Sequence, residues 1–417
     1  MKVYLESVGC KLNQSEIETL ARRFIARGQQ VVAAPAEADL CVLNSCLVTH
    51  VAARKSRQAV RRLRRHNPAT RVVVTGCYAD VAPADLAADV VVANADKDRL
   101  VERLLGEGHS APPSRLSLLP LPLPHGRTRA FVKVQDGCDN HCTYCITRLA
   151  RGSQRSRPRA DVLAEVQARI EAGYREVVLT GVHLGGYGHD HGQLPRDSLW
   201  GLVEAILVQT DVRRLRLSSI EPWDVTPDLF WLWKDPRLCR HLHLPLQSGS
   251  DEILRRMGRR YTAAEFVRLV EGARAAIPGV AITTDVIVGF PGETEPHFAE
   301  SLAFVEGIGF ARGHVFPYSA RPGTPAALLP DHLPPPEKGA RAARMRAAFS
   351  RSATRFREQF LGRTVQVHWE DQRDGLWRGL TDNYLRVSAE SDGDLARAMT
   401  PVRLTALTED GLRGVFL

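Results

Sequence analysis

Four short apolar runs open the chain: "VYLESVGC", "DLCVLNSC", "RVVVTGC" and "DVVVAN". Between them lie stretches with helical spacing of apolar and polar positions, "SEIETLARRFIARG" and "KSRQAVRRLRRHNP", the second stopped by its proline. Strands alternating with helices predict a doubly wound α/β domain over 1–110. The pattern then breaks. Pro113, Pro120, Pro122 and Pro124 crowd a stretch too tightly for a helix or a central strand, so 111–128 reads as a semi-rigid linker. From 129 a second alternation begins, with apolar runs at "AFVKVQ", "EVVLTG", "RLRLSSI", "HLHLPLQ", "VAITTDVIVGF" and "GHVFPYS". Six strand–helix units are too few for a closed eight-stranded barrel and predict a partial (β/α)6 barrel over 129–360, ending in a basic helix near 336–360. The remainder, 361–417, shows short β-type runs parted by Asp- and Gly-containing turns, which predicts a small β-barrel.

Composition narrows this α/β chain only in part. It has 417 residues, 44% hydrophobic and 25% charged, which is globular and long enough for several domains. The formal net charge of +9 is rich in arginine and favours a nucleic-acid partner, although a merely basic surface has the same charge. Apolar runs stay short of the roughly 18–20 residues that span a bilayer. The start, "MKVYLESVGCKLNQ", lacks a signal-peptide core. No membrane and a cytoplasmic setting are expected. In that setting, eight cysteines point to metal binding or catalysis rather than disulfides.

The cysteines fall into two sets. Cys138, Cys142 and Cys145 stand as Cys-x3-Cys-x2-Cys in "DGCDNHCTYC", just after the first strand of the six-unit domain. Three thiolates can hold three irons of a 4Fe-4S cluster and leave the fourth open. A zinc site completed by His141 or His183 is the alternative, and a redox Cys-x-x-Cys pair would leave Cys138 unexplained. Cys10, Cys46 and Cys77 each end an apolar run. The carboxyl ends of parallel strands converge on one crevice, so these three can meet there and bind a second cluster. The alternative is that they are core side chains, as Cys41 and Cys239 are expected to be from their place inside apolar runs.

With its first trio at the first strand of a six-unit barrel, the chain resembles the radical S-adenosylmethionine enzymes. Adding the three-cysteine amino-terminal domain and a TRAM-like terminal barrel, it is similar along nearly its whole length to the methylthiotransferases. The motifs that carry this are "GCKLNQSE", "ARKSRQAVRR", "VQDGCDNHCTYC", "GVHLGGYG", "RLRLSSIEPWD", "HLPLQSGSDEILRRMGRRYT" and "DVIVGFPGETE". The branch it resembles most acts on N6-threonylcarbamoyladenosine of tRNA. Sister branches act on isopentenyladenosine in tRNA or on an aspartate of a ribosomal protein. Arg148 departs from the pattern, which has a proline there, and 363–417 carries more acidic than basic residues.

The resemblance implies two 4Fe-4S clusters and two uses of S-adenosylmethionine. One molecule gives a methyl group to sulfur held at Cys10, Cys46 and Cys77. The other is cleaved at Cys138, Cys142 and Cys145 to a 5′-deoxyadenosyl radical, which takes the hydrogen from carbon 2 of the modified adenine at position 37. No catalytic acid or base is assigned. Tyr144 matches the family position near the adenine of S-adenosylmethionine. Glu221, Gln247 and Asp285, at strand ends, are candidate contacts to its ribose or amino-acid groups, with an internal hydrogen-bond network as the alternative. Arg54, Lys55, Arg61 and Arg62, in the basic stretch after Cys46, are candidate phosphate contacts to the tRNA anticodon loop. An electron donor such as flavodoxin or ferredoxin is expected. The non-enzymatic rival is an RNA-binding protein with structural zinc.

Overall fold

The structure, a computed structural model, describes residues 1–107, 128–192 and 197–417. The expected linker at 111–128 lies outside the described residues except for Thr128. The chain forms two compact units, Met1–Val212 with Arg321–Thr324, and Arg213–Ala320 with Pro325–Leu417. The division falls inside the span expected for the central domain.

The first unit opens with five parallel strands in the order Gln30–Val31, Lys2–Ser7, Leu40–Ser45, Arg71–Gly76, Val90–Val91. Side chains alternate across this sheet, as a strand's period of two requires. Leu40, Val42 and Val73 join Ile17, Leu20 and Phe24 of the helix Lys11–Ala26 on one face. Cys41, Leu43, Val72 and Val74 join Ala59, Val60 and Leu63 of the helix His50–His66 on the other. Both faces are covered, so the domain is doubly wound as expected. The "DVVVAN" run forms only the two-residue edge strand Val90–Val91, and Gln30–Val31 is an edge strand too short for a sequence pattern to reveal. The unit continues with Arg129–Lys133, paired in parallel with Glu176–Thr180, the first two strands of the six-unit series. Ser15 Oγ donates to Phe131 O at 2.9 Å and ties the helix Lys11–Ala26 to that pair.

The second unit holds the other four strands, Arg214–Leu217, His241–His243, Ala281–Val288 and Arg312–Pro317, in the order and places that the sequence predicts. The last three pair in parallel. Capping boxes at Thr262–Glu265 and Thr294–His297 start the helices Ala263–Ala276 and Glu295–Ile308. The basic helix is Pro335–Glu358. A closed five-stranded barrel follows, from Thr364 to Phe416, built around Val367, Trp369, Val387, Val402 and Leu404. Its first hairpin turns at Asp374 and Gly375, both with positive φ, the geometry that favours an Asp-Gly pair.

This barrel is fastened to the strands before it by two buried arginines and a third that is partly exposed. Arg214 donates to the carbonyls of Leu380 (3.0 Å) and Gln366 (2.7 Å), and Arg216 to those of Asp382 (2.8 Å) and Thr381 (3.1 Å). Arg240 pairs with Asp382 at 2.6 Å. Arg214 and Arg240 stand at the amino-terminal ends of the strands Arg214–Leu217 and His241–His243, and Arg216 lies within the first of them. The carboxyl ends of those strands, where parallel α/β folds place their chemistry, are left to other loops.

Candidate functional site

Three cysteines share one local device. Cys10, Cys77 and Cys138 each follow a glycine with positive φ: Gly9 at 110°, Gly76 at 95° and Gly137 at 68°. A side chain there would be strained in backbone and would also collide. A Cβ on Gly9 would stand 2.7 Å from Cys46 Cβ and 2.9 Å from its sulfur, while one on Gly76 would run into Ser45 and one on Gly137 into Ser153. The glycines let each chain turn sharply at the strand end and bring the next cysteine close to its neighbours.

Cys46 and Cys77 follow the strands Leu40–Ser45 and Arg71–Gly76 directly, and Cys10 stands three residues past the end of Lys2–Ser7. The sheet order reverses between Lys2–Ser7 and Leu40–Ser45, the switch point at which open α/β sheets bind ligands. Asn13 laces the loops together, donating to Val8 O (2.8 Å) and Ser45 O (3.1 Å). Burial is the chief cause that pushes the Cys46 thiol up to about 12, and the sulfurs of Cys77 and Cys10 add to the effect. A metal or cluster bound here would displace the thiol protons and take the sulfurs as thiolates. Cys10 is also the N-cap of the helix Lys11–Ala26, and its side chain makes no capping bond, so a thiolate formed there on binding a metal or cluster would face the positive end of that helix. None of the eight cysteines is in a disulfide, and Cys41 and Cys239 are buried in the core as their apolar runs suggest.

The second trio lies on one loop, 138–145, after the strands Arg129–Lys133 and Gln135–Asp136. Cys145 N–H bonds Cys142 O at 3.1 Å and closes the loop's turn, and Cys138 N–H bonds Gly152 O at 3.1 Å. All three cysteines are partly exposed, and Tyr144, which precedes Cys145 in sequence, is half-buried. Among the described residues, no three His, Cys, Asp or Glu side chains converge on a point that could hold a single metal ion. A 4Fe-4S cluster asks for something different, since its thiolates bind separate irons. Two sets of three unbridged thiols at strand ends, each set leaving one iron without a protein ligand, fit that group.

Between the trios lies a buried polar network that no motif singles out. Arg151 Nε donates to Cys77 Sγ at 3.3 Å, Nη1 to Glu16 (2.8 Å) and Asp136 (2.9 Å), and Nη2 to Asn13 at 2.7 Å. Lys97 and Lys133 also bond Glu16, at 2.7 and 2.8 Å. Burial alone would push Glu16 up, but Arg151, Lys97 and Lys133 outweigh it and hold the carboxylate well below its ordinary range. A cavity of about 580 Å³ opens beside Glu16, Lys97, Lys133 and Asp136, and none of the six cysteines lines it.

The other candidate residues divide. Glu221 pairs with the buried Arg259. Asp285 sits between His314 (3.1 Å) and His243 (3.4 Å). Burial pushes Asp285 up, and the two imidazoles overcome this and hold it below the ordinary carboxylate range. Gln247 has φ of 65° and extends a strand, its N–H on Asp285 O and its O taking the Ile287 N–H. Glu221 and Asp285 therefore belong to internal networks, whatever else they touch. Arg54, Lys55, Arg61 and Arg62 are all exposed on the helix His50–His66. Arg62 is drawn onto Glu6, and Arg65 is exposed on the same stripe as Arg54 and Arg61.

Comparison with known proteins agrees with this geometry. The profile of the Radical SAM superfamily matches residues 132–305, and that of the Uncharacterized protein family UPF0004 matches residues 2–95. The chain is 36% identical to the "Threonylcarbamoyladenosine tRNA methylthiotransferase MtaB" of Bacillus subtilis, covering 96% of this chain and 93% of that one. Its identity to the protein of the same name from Thermotoga maritima is 37%, over 98% and 96%. It is 34% identical to the "tRNA-2-methylthio-N(6)-dimethylallyladenosine synthase" of Pelobacter propionicus, over 100% and 98%. Among solved structures, the radical S-adenosylmethionine methyltransferase TsrM from Kitasatospora setae superposes with a TM-score of 0.57 at 16% identity, over 78% of this chain and 75% of that one. At that identity the likeness speaks for the fold alone. The chain belongs to the radical S-adenosylmethionine methylthiotransferases that act on tRNA, enzymes that work with S-adenosylmethionine and an iron–sulfur cluster.

Proposed function

We propose that the protein methylthiolates carbon 2 of N6-threonylcarbamoyladenosine at position 37 of tRNA, with S-adenosylmethionine as both methyl donor and radical source. For the substrate, the reading rests on near-full-length similarity at 36–37% to two relatives named for threonylcarbamoyladenosine, against 34% to one named for dimethylallyladenosine. For the chemistry, it rests on two sets of three cysteines, outside any disulfide, at strand ends in one unit.

Cys138, Cys142 and Cys145 would hold one 4Fe-4S cluster, and Cys10, Cys46 and Cys77 the other. When bound, the first supplies the electron that cleaves S-adenosylmethionine to a radical able to take an unactivated hydrogen, and the second holds the sulfur to be transferred. The residues of this chain orient these groups. Gly9, Gly76 and Gly137 turn the cysteines toward their sites. Tyr144 offers a ring beside the last ligand, and Glu221, Gln247 and Asp285 are the polar groups proposed to meet the ribose or amino-acid end of the cofactor.

Arg54, Lys55 and Arg61 stand exposed on one helix that begins four residues after Cys46, and they would hold phosphates of the anticodon loop while the adenine is splayed out of its stack. The terminal barrel is a poorer candidate for that grip, because its charged side chains pair with each other at Asp371–Arg378, Arg386–Asp410 and Glu390–Arg413. The electron would come from a small carrier such as flavodoxin or ferredoxin. Among the described residues no helix is long and apolar enough to cross a membrane, and a tRNA substrate would be met in the cytoplasm.

The test is nucleoside mass spectrometry of tRNA from a bacterial strain stripped of its own methylthiotransferases and supplied with this chain. The 2-methylthio derivative of N6-threonylcarbamoyladenosine is the expected product. Methylthiolated isopentenyladenosine in its place would assign the sister substrate, and no methylthio nucleoside would overturn the reading.

A further inference from the structure

We propose that Arg151 is a positioning residue shared by the two cysteine sites: it sets the reduction potential of the group held by Cys10, Cys46 and Cys77, and it fixes the loop that carries Cys138. The inference rests on the cluster reading above and goes beyond it.

The guanidinium is buried, with 3% of the residue exposed, and each of its three nitrogens is engaged. Nε faces the Cys77 sulfur at 3.3 Å. Nη2 holds Asn13, which in turn ties together the loops of Cys10 and Cys46. Nη1 holds Asp136, whose Oδ1 also takes the Gly137 N–H at 2.8 Å, next to Cys138. The residue after Arg151, Gly152, accepts the Cys138 N–H. One side chain therefore reaches a ligand of the first set directly and the backbone of the second through a single carboxylate.

Among the hydrogen-bonded side chains, cations outnumber carboxylates. Within the hydrogen-bonded set, three cations (Arg151, Lys97 and Lys133) meet two carboxylates, Glu16 and Asp136. Asp80 lies outside the hydrogen-bonded set, on the Asn94 N–H, and its charge acts on Lys97 and Arg151 from a distance and offsets part of the excess. A surplus buried cation is costly unless an anion stands beside it. The place beside it is Cys77. A thiolate-bound cluster is anionic, and gains one more negative charge on reduction. An N–H donor and a fixed positive charge at a ligand sulfur favour the reduced form and raise the potential. Lys97 and Lys133 spend their hydrogen bonds on Glu16, Asn44 and Asp136, so this effect falls to Arg151.

The experiment isolates the amino-terminal site in the full chain with Cys138, Cys142 and Cys145 replaced by alanine. The chain is reconstituted anaerobically with iron and sulfide, its iron is counted, and one-electron reduction by dithionite is followed by electron paramagnetic resonance. Arg151→Gln should keep about four irons per chain and move the midpoint potential to a more negative value. Arg151→Lys, which keeps the charge but not the fork, should move it part of the way, and it carries the comparison if the glutamine variant does not fold. In the metal-free full-length chain, amide exchange across 136–145 should be faster in either variant than in the parent. About four irons with the parent's potential and exchange in both variants would overturn the inference alone. Iron absent from Cys10, Cys46 and Cys77 in the parent would overturn the cluster reading and this inference with it.

Discussion

Tyr384, in the turn after the second strand of the terminal barrel, stacks on His241 with ring centroids 4.7 Å apart and planes 16° apart. The Arg216 guanidinium lies on the same tyrosine ring at 4.7 Å. The residue holds φ at 67°, a conformation that a bulky side chain adopts only when its surroundings require it. The barrel is thus keyed into the strands before it by an aromatic plug and the buried arginines Arg214 and Arg216.

Removing the plug should cost stability without touching the cysteine sites. Tyr384→Ala loses a stacked pair and a cation–π interaction, together worth about 1–3 kcal/mol. Deleting the barrel from 364 onward should be far worse, because Arg214 and Arg216 would be left without the carbonyls they bond. The truncated chain should aggregate on expression. Denaturant midpoints for the point variant and soluble yield for the truncation check both, and a soluble truncated chain with parental iron binding would count against this dock.

Iron content should separate the two sites. The full chain reconstituted anaerobically should carry about eight irons, and replacing either trio with alanine should leave about four. A colourless protein that binds zinc in preference to iron would instead favour the RNA-binding rival. An unchanged iron count on losing Cys138, Cys142 and Cys145 would defeat the assignment of that loop.

Neutralising Arg54, Lys55 and Arg61 should weaken tRNA binding and flatten its dependence on salt. The slope of log affinity against log salt should fall by about 0.7–0.9 for each phosphate that is no longer gripped. Adding Arg62→Ala should contribute less, because its charge is already spent on Glu6. Affinity measured across a salt series decides the matter, and equal slopes for parent and variant would make this helix an ordinary basic surface. Cleavage of S-adenosylmethionine without RNA should persist in every one of these variants.

The pairing of Asp285 gives a pH signature. Its folded pKa is depressed by His243 and His314 despite burial, so its ionised form contributes stability above the ordinary carboxylate pKa of about 3.9. That contribution is lost as pH falls below this value toward the folded pKa. Asp285→Asn should therefore destabilise the chain near pH 7 by about 1.5–3 kcal/mol, the worth of a charge-assisted hydrogen bond, and the gap from the parent should close in strong acid. Denaturation at pH 7 and pH 3 measures it, and a gap of the same size at both would contradict the pairing.

Much of this was legible in the sequence, and the physical reasons for the rest are specific. Strands such as Leu40–Ser45 and Arg71–Gly76 announce themselves because both faces are covered and the apolar run is nearly continuous. Cysteines at their ends follow from strand direction. The edge strand Gln30–Val31 escaped because two residues carry no pattern. Arg151 and Glu16 escaped, although Glu16 closes the motif "GCKLNQSE", since their role appears only when residues 13, 16, 77, 97, 133, 136 and 151 meet in space. The partners of Asp285 and Glu221 were likewise invisible, because His314 and Arg259 come from other elements. Spacing along one chain reports what a single strand or helix does, and these pairings belong to none.

If the two cysteine sites divide one reaction between them, each should fail in its own way. The purified chain is incubated anaerobically with S-adenosylmethionine, a reductant and tRNA carrying N6-threonylcarbamoyladenosine, and 5′-deoxyadenosine and methylthio nucleoside are measured together. The variant lacking Cys138, Cys142 and Cys145 should make neither. The variant lacking Cys10, Cys46 and Cys77 should still make 5′-deoxyadenosine but no methylthio product. Normal methylthio product from the latter variant would show that the amino-terminal cysteines are structural, and would contradict a divided reaction.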